Sequence, residues 1–442
     1  MANRQARSSR RLSRRDFMAY AAAGAALLRG TMGRAAEGTP RRKPNFLVIL
    51  ADDMGYSDAG CYGGEIQTPH LDKLAKGGIR FTQVYSTGRC WPSRACIMTG
   101  FYAQQVRMDP PRGRLPAWTR VAPHYLKPLG YRCYHSGKWH VRGAPKPCKD
   151  GGFDHSYLIG DHDRFFYPKR HLEDDKPLPP VKPGTDFYLT SHIADHAIKC
   201  LKEHAAEHAG KPFFEYLAFT CPHFPLHALQ KDIARYKGTY DVGWDVIRER
   251  RLARMRTMGI VKCGLSPLQS KTIPRWNLPE AKLKDAIGPG EAGWAVPWAT
   301  LTDEQRKFQA TKMAVHAAMI DRMDQDIGRV LAQIEAMGQL ENTVVIFCSD
   351  NGASAEQIIR GDKHSKAAAP GSGASYLCLG PGFSTAANTP FKLHKHWTHE
   401  GGIASPFIVH WPAGLKARGE LRHNPGHSSL VIRHLSFRRS RP

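Results

Sequence analysis

The chain has 442 residues, 41% of them hydrophobic, and its 64 Lys and Arg outnumber 39 Asp and Glu to give a formal net charge of +25. Length and composition are those of a soluble, globular protein with a large core, built as one long catalytic domain or as two or three small ones. The ten cysteines include no C-x-x-C pair, so their spacing fits neither a zinc ribbon nor a dense disulfide framework, and no particular pairing is expected.

A field this basic concentrates polyanions and speeds their encounter. Charge alone attracts sulfated polysaccharide and nucleic acid equally. The sequence holds no zinc-finger spacing, no basic zipper and no stacking motif of the RNA-recognition type, so no nucleic-acid partner is expected.

Residues 1–36 read as an export signal. Ser13-Arg14-Arg15-Asp16-Phe17-Met18 precedes a weakly apolar run from Ala19 to Leu28, and Gly33, Ala35 and Ala36 offer a cleavage region. The pattern resembles a twin-arginine signal, and its apolar run is too short to span a membrane as a stable helix. That resemblance implies passage through the twin-arginine export machinery to the periplasm or exterior of a bacterium. The segment carries eight Arg and one Asp, so its removal lowers the net charge from +25 to about +18.

After a linker at 37–43, Asn45 to Leu50 is a continuous apolar run of the kind found in a fully buried strand, and it ends on Asp52 and Asp53. Tyr131 to His135 leads into Gly137-Lys138-Trp139-His140, Phe213 to Phe219 into Cys221-Pro222-His223, and Val344 to Cys348 into Asp350-Asn351-Gly352. Ligands of open α/β sheets bind outside the carboxyl ends of the strands, so these four clusters are expected to face one site.

Thr302 and Gln305 match a capping box. Beyond it Met313, Ala317, Ile320, Met323, Ile327, Val330 and Ile334 recur at three- and four-residue steps, which predicts a core-facing helix running until Gly338. Residues 150–186, rich in Pro, His, Asp and Lys, and residues 262–300 show little periodicity. Both are expected to form loops over the active face, where substrate choice resides.

Cys90-Trp91-Pro92-Ser93-Arg94, followed by Thr99-Gly100, carries the chemistry. Pro92 has a preset helical dihedral and no N–H, which suits the first turn of a helix that Ser93 to Met98 can continue. Position 90 then lies at a helix N-terminus, where unpaired N–H groups and the positive end of the dipole favour an anion such as sulfate. The segment resembles C-x-P-S-R-x-x-x-x-T-G, the signature of the formylglycine sulfatases, a family of arylsulfatase type within the alkaline phosphatase superfamily. The resemblance covers about residues 44–420 and implies an α/β sandwich with a large, mostly parallel central sheet flanked by helices. It also implies that a formylglycine-generating enzyme oxidises Cys90 to an aldehyde, whose hydrate attacks the sulfur of a sulfate ester.

Asp52, Asp53, Asp350 and Asn351 supply three carboxylates and an amide oxygen from two strand ends, a hard donor set that suits Ca²⁺ or Mg²⁺ and is poor for zinc. The resemblance implies Ca²⁺ there, beside the converted Cys90. Gly137-Lys138-Trp139-His140 is similar to the family's Gly-Lys-Trp-His segment. With Arg94 it implies a support group in which the cations favour the ionised hydrate and His140 accepts the second hydroxyl proton when sulfate is expelled. His223, in Cys-Pro-His-Phe-Pro-Leu, and Lys395, seven residues after Asn388-Thr389-Pro390 begins, resemble the family's sulfate-contacting segments; one of the two protonates the leaving oxygen. Glu400-Gly401-Gly402-Ile403 resembles a further family segment, with glycines suited to a tight turn. His227 and His399 are lesser candidates for substrate contact, and Thr99-Gly100 fits conversion and helix termination.

The activity implied is that of a sulfuric ester hydrolase releasing inorganic sulfate from sulfated small molecules or sulfated polysaccharide. The alternatives are a phosphodiesterase or phosphonate hydrolase of the same superfamily, and an inactive binder of sulfated glycans. The tail at 421–442 ends in Leu435-Ser436-Phe437-Arg438-Arg439-Ser440 and lacks the apolar helix into which the family continues. It is expected to be an aberrant or truncated C-terminus without the smaller subdomain.

Overall fold

The computed structural model describes residues 42–427 apart from 112, 162–163 and 361–363. The expected export signal at 1–36, most of the expected linker at 37–43 and the tail beyond 427 lie outside the described residues.

Strand β1 (Asn45–Asp52) is buried along its whole length, as its unbroken apolar run predicts. Leu47, Ile49 and Ala51 enter one core and Phe46, Val48 and Leu50 the other, because alternate side chains of a strand point to opposite faces. The remaining elements that position the site are, in chain order, α1 (Pro69–Gly77), β2 (Ile79–Tyr85), α2 (Cys90–Thr99), β3 (Arg132–Gly137), β4 (His155–Ile159), β5 (His171–Glu173), β6 (Lys176–Pro177) and α3 (Leu189–Glu207). They continue with β7 (Phe213–Pro222), α4 (Asp303–Ala336), β8 (Thr343–Ser349), α5 (Glu400–Ile403), β9 (Ala404–His410), β10 (Glu420–Arg422) and β11 (Gly426–His427). Among the described residues the strands form one 11-stranded sheet in the order β10-β2-β9-β8-β1-β7-β3-β4-β5-β6, with β11 also on β2. Helices α1, α3 and α4 contribute to the first core, and α2 packs into the second.

The four apolar runs are the four neighbours β8, β1, β7 and β3, all mutually parallel, so their carboxyl ends share one edge. Strand β9 runs antiparallel to both β8 and β2, which makes the sheet mixed at that side. The sheet is thus a large α/β sheet covered on both faces by helices.

Helix α4 begins where the capping box predicts: Gln305 N donates to Thr302 Oγ1 at 3.2 Å and Thr302 N to Gln305 Oε1 at 3.0 Å. All seven residues of its apolar stripe are fully buried, and each Met, Ile or Val side chain among them contributes about 1.5–3 kcal/mol relative to exposure. No helix among the described residues is long and apolar enough to cross a membrane. All ten cysteines are free thiols.

The expected loop at 150–186 differs in part, since β4, β5 and β6 extend the sheet there. Only Ser156, Tyr157 and Ile159 of β4 are buried, too few to stand out as a run. The Asp154 carboxylate holds this segment to β3 by accepting from Cys133 N at 2.8 Å and from Arg132 at 2.9 Å.

Candidate active site

At the end of β1 the register with β7 shifts between Leu50 and Asp52, and the next residue, Asp53, adopts φ 65°. This local kink is braced by β8: Asp350 N donates to Ala51 O at 3.1 Å and Asp53 N to Asp350 Oδ1 at 3.2 Å. On β3, Gly137 (φ 118°) turns the chain so that Lys138 N reaches Ala218 O at 2.8 Å. An added Cβ at Gly137 would lie 2.0 Å from that same oxygen, so only glycine fits. Helix α2 starts on Cys90, and Gly100 (φ 73°) ends it by donating to Cys96 O at 2.9 Å, as expected for Thr99-Gly100.

The ten residues expected to be catalytic or metal-binding join one network, and the lesser candidates His227 and His399 stand outside it. Cys90 Sγ lies 3.4 Å from His140 Nδ1, and it lies with one oxygen each of Asp52 and Asp350 inside a sphere of mutual distances below 4.8 Å. Arg94, fully buried, donates from Nε to Asp350 at 2.9 Å and from its terminal nitrogen to Lys138 O at 2.7 Å, with Asp52 at 3.8 Å. The Lys138 ammonium donates to Asp52. Lys395 Nζ donates to Asp53 Oδ2 at 2.8 Å, and His223 Nε2 stands 3.7 Å from the same oxygen. Asn351 Nδ2 donates to Asp53 Oδ1 at 2.7 Å.

Burial opposes charge on Asp52, but Lys138, His223 and Arg94 together hold its carboxyl well below the usual range. Asp350 goes the other way: burial, then the charge on Asp52, pushes it up to about 7. Burial and the neighbouring Lys138 and Arg94 keep His140 well below its ordinary value. Burial, reinforced by Lys395, brings His223 down to about 4. Lys395 itself, although buried, is raised well above the usual lysine range by Asp53 and Glu356. Burial raises the Cys90 thiol against the pull of Lys138 and Lys395.

The donor set fits a hard divalent cation. Asp52 Oδ1 and Asn351 Oδ1 are buried acceptors with no hydrogen-bond partner, a costly arrangement unless a cation meets them.

The Sulfatase family matches residues 44–436. The chain belongs to the sulfatase family. This sulfatase is 32% identical over 419 residues to an uncharacterized sulfatase of Schizosaccharomyces pombe, spanning 85% of this chain and 71% of that protein. It is 30% identical over 422 residues to the arylsulfatase of Klebsiella aerogenes, spanning 87% of this chain and 84% of that enzyme. The crystal structure of Ps i-CgsB shares its fold, with a TM-score of 0.60 at 23% identity over 89% of this chain and 71% of that one. The sulfatase is accordingly an enzyme of the sulfuric ester hydrolase class, with the alkaline phosphatase-like α/β architecture.

Three residues at the site of this sulfatase were not singled out by sequence. Glu356 Oε2 lies 3.6 Å from Lys395 Nζ and 3.2 Å from His396 Nε2, and Arg89 Nε donates to His396 Nδ1 at 2.7 Å. Glu356 lies five positions beyond Asn351 and His396 directly follows Lys395, so proximity to named residues was the available signal. Asp53, His140 and His396 have φ of 65°, 53° and 81°, a concentration of left-handed non-glycine residues typical of functional sites. The glycines of α5 act differently from the expected tight turn. An added Cβ on Gly401 would come 2.0 Å from Leu393 O and one on Gly402 2.1 Å from Trp397 O, so they permit close backbone packing behind Lys395. His399 is exposed at the start of α5, and His227 is buried with Nε2 2.7 Å from Ser375 O.

Proposed function

We propose that this sulfatase releases inorganic sulfate from sulfated carbohydrates, using Cys90 in its formylglycine form and a Ca²⁺ ion held by Asp52, Asp53, Asp350 and Asn351. The observation that supports this reading best is the sharing of one buried cluster by Cys90 Sγ and oxygens of Asp52 and Asp350. When bound, the ion supplies Lewis-acid polarisation of a sulfate oxygen and charge stabilisation for the nucleophile. Formylglycine supplies a hydroxyl at position 90 with a second hydroxyl on the same carbon.

The protein's own groups account for the rest. Arg94 and Lys138 neutralise Asp52 and Asp350 and keep positive charge beside position 90. His140 Nδ1, 3.4 Å from Cys90 Sγ and held neutral, can accept a hydroxyl proton from that position. His223 and Lys395, both against Asp53, are the two candidates for protonating the leaving alcohol oxygen, and with burial bringing His223 down to about 4 it is the Lys395 ammonium that holds its proton. The net charge, about +18 without residues 1–36, supports a polyanionic carbohydrate substrate. Export through the twin-arginine machinery, activation by a formylglycine-generating enzyme, and a catalytic domain at 44–420 belong to the same reading and rest on sequence.

The test is mass analysis of the peptide containing Cys90 after co-expression with a formylglycine-generating enzyme. The peptide should be lighter by about 18 Da than the thiol form, and the converted protein should release sulfate from 4-nitrophenyl sulfate faster than phosphate monoester from an aryl phosphate diester. Recovery of unmodified thiol alone would sink the mechanism.

A further inference from the structure

Trp276 is 47% exposed. A single exposed aromatic is ordinary on a protein surface, but this one is fixed by groups of the site itself. Its Nε1 donates to Glu356 Oε1 at 2.8 Å, its ring meets that of His396 edge-on at 4.8 Å, and the Arg89 guanidinium lies 5.8 Å from its ring centre. The other carboxylate oxygen of Glu356 lies 3.6 Å from Lys395 Nζ. One carboxylate therefore separates the indole from the ammonium proposed to protonate the leaving oxygen. On the other side Arg89 directly precedes Cys90, and both Arg89 and His396 are partly exposed, so this connection runs along the surface.

The loop that carries the ring is tied to the chain just beyond the proposed cation ligands. Asn277 Nδ2 donates to Ala355 O, Leu278 N to Gln357 O and Gln357 N to Asn277 Oδ1, each at 3.0 Å. Glu356 lies within this paired stretch, so the same bonds place the indole and its acceptor. A ring held in advance loses little freedom when a ligand covers it, and its apolar face and polar edge match the C–H face of a sugar bordered by hydroxyls. Arg89 uses Nε on His396 at 2.7 Å, and its terminal nitrogens meet no acceptor among the described residues, which leaves them to ring hydroxyls.

We propose that Trp276 is the platform on which the ring of the leaving alcohol stacks, a pyranose in the substrate proposed above, with Arg89 donating to hydroxyls at the ring edge. The inference rests on the reading of the chain as a carbohydrate sulfatase and deepens it by assigning Trp276 as a specificity residue. Trp276 lies in the 262–300 segment, where loops over the active face were expected.

The experiment measures calorimetric binding of methyl sulfate, 4-nitrophenyl sulfate and glucose 6-sulfate, in CaCl₂, to the Cys90→Ser full chain alone and with Trp276→Ala, Trp276→Phe or Trp294→Ala. Methyl sulfate has no ring to stack and reports the sulfate pocket alone. Trp294, 36% exposed on the same segment, controls for disturbance of the loop. In Trp276→Ala the affinity of each ring-bearing ligand relative to methyl sulfate should fall about tenfold, the order of one lost stacking contact and the apolar area it buries. Trp276→Phe and Trp294→Ala should stay near the parent. An unchanged ratio in Trp276→Ala, an equal loss of methyl sulfate binding, or an equal fall in Trp276→Phe would overturn the proposal, the last two because a purely structural role through Glu356 predicts them. A fall for 4-nitrophenyl sulfate alone would overturn the pyranose as occupant. The functional reading fails separately, if the converted parent releases sulfate from 4-nitrophenyl sulfate and from no sulfated sugar.

Discussion

Asp53 and Lys395, 342 positions apart in the chain, meet at 2.8 Å in the floor of the site. The same carboxylate is 3.7 Å from His223 and accepts from Asn351 at 2.7 Å. Asp53 therefore connects His223 and Lys395, the proposed donors for the leaving alcohol, to the oxygen set proposed for the cation.

Replacing Asp53 by Asn should accordingly damage two functions at once. Affinity for Ca²⁺ is expected to fall by at least the ~10–100-fold that changes in outer-shell partners cost. Sulfate release should fall at least as far, and excess Ca²⁺ should restore only the part due to lost occupancy. Calorimetric titration of chelator-stripped protein with CaCl₂, beside rates at saturating Ca²⁺, separates the two; unchanged Ca²⁺ affinity would remove Asp53 from the metal set.

Stability should depend on pH through Glu215, a fully buried carboxyl on β7 that burial pushes up from 4.5 to about 8, with Ser136 pulling weakly the other way. Because the folded value is the higher one, the unfolded chain loses its proton first as pH rises. The contribution of the protonated form is fully present below 4.5 and is lost as pH climbs through about 8. Glu215→Gln keeps the group neutral, so the variant should lose less stability than the parent across this window. At about 1.4 kcal/mol per unit the gap reaches a few kcal/mol. Urea melts at pH 5 and pH 8 measure it, and parallel pH profiles for the two proteins would contradict the assignment.

Two glycines at positive φ should respond differently to alanine. At Gly130 (φ 89°) a Cβ would meet nothing within 4 Å, so Gly130→Ala should cost only the left-handed backbone penalty of about 1–2 kcal/mol. At Gly137 (φ 118°) the Cβ would fall 2.0 Å from Ala218 O, which forces β3 away from β7 and displaces Lys138. Gly137→Ala should therefore lose more stability than Gly130→Ala and lower sulfate release at least about tenfold, consistent with the sensitivity of catalysis to ~1 Å misplacement. Thermal midpoints and kcat for the pair make the comparison; equal effects would mean that β3 tolerates the added carbon.

The sequence by itself determined the parts of this protein whose physics is local. Strands buried on both faces require unbroken apolar runs, so β1, β7 and β8 were legible from Asn45, Phe213 and Val344 onward, and the ends of those runs named the acids and bases that follow. The reciprocal bonds of Thr302 and Gln305 span three residues, and so they marked the start of α4. The Cys90 to Gly100 segment contains both its helix start and its left-handed stop. Tertiary structure alone decided what depends on distant partners. Strand β4 exists because the Asp154 carboxylate and a few buried side chains secure it to β3, with no periodic signal of its own. Glu356 and His396 acquire their setting from Lys395, Arg89 and Trp276, whose approach no spacing in the chain encodes. Likewise, Asp and His tolerate a left-handed backbone better than most residues but do not require it, so nothing in the chain marked Asp53 and His140 as the positions that adopt it.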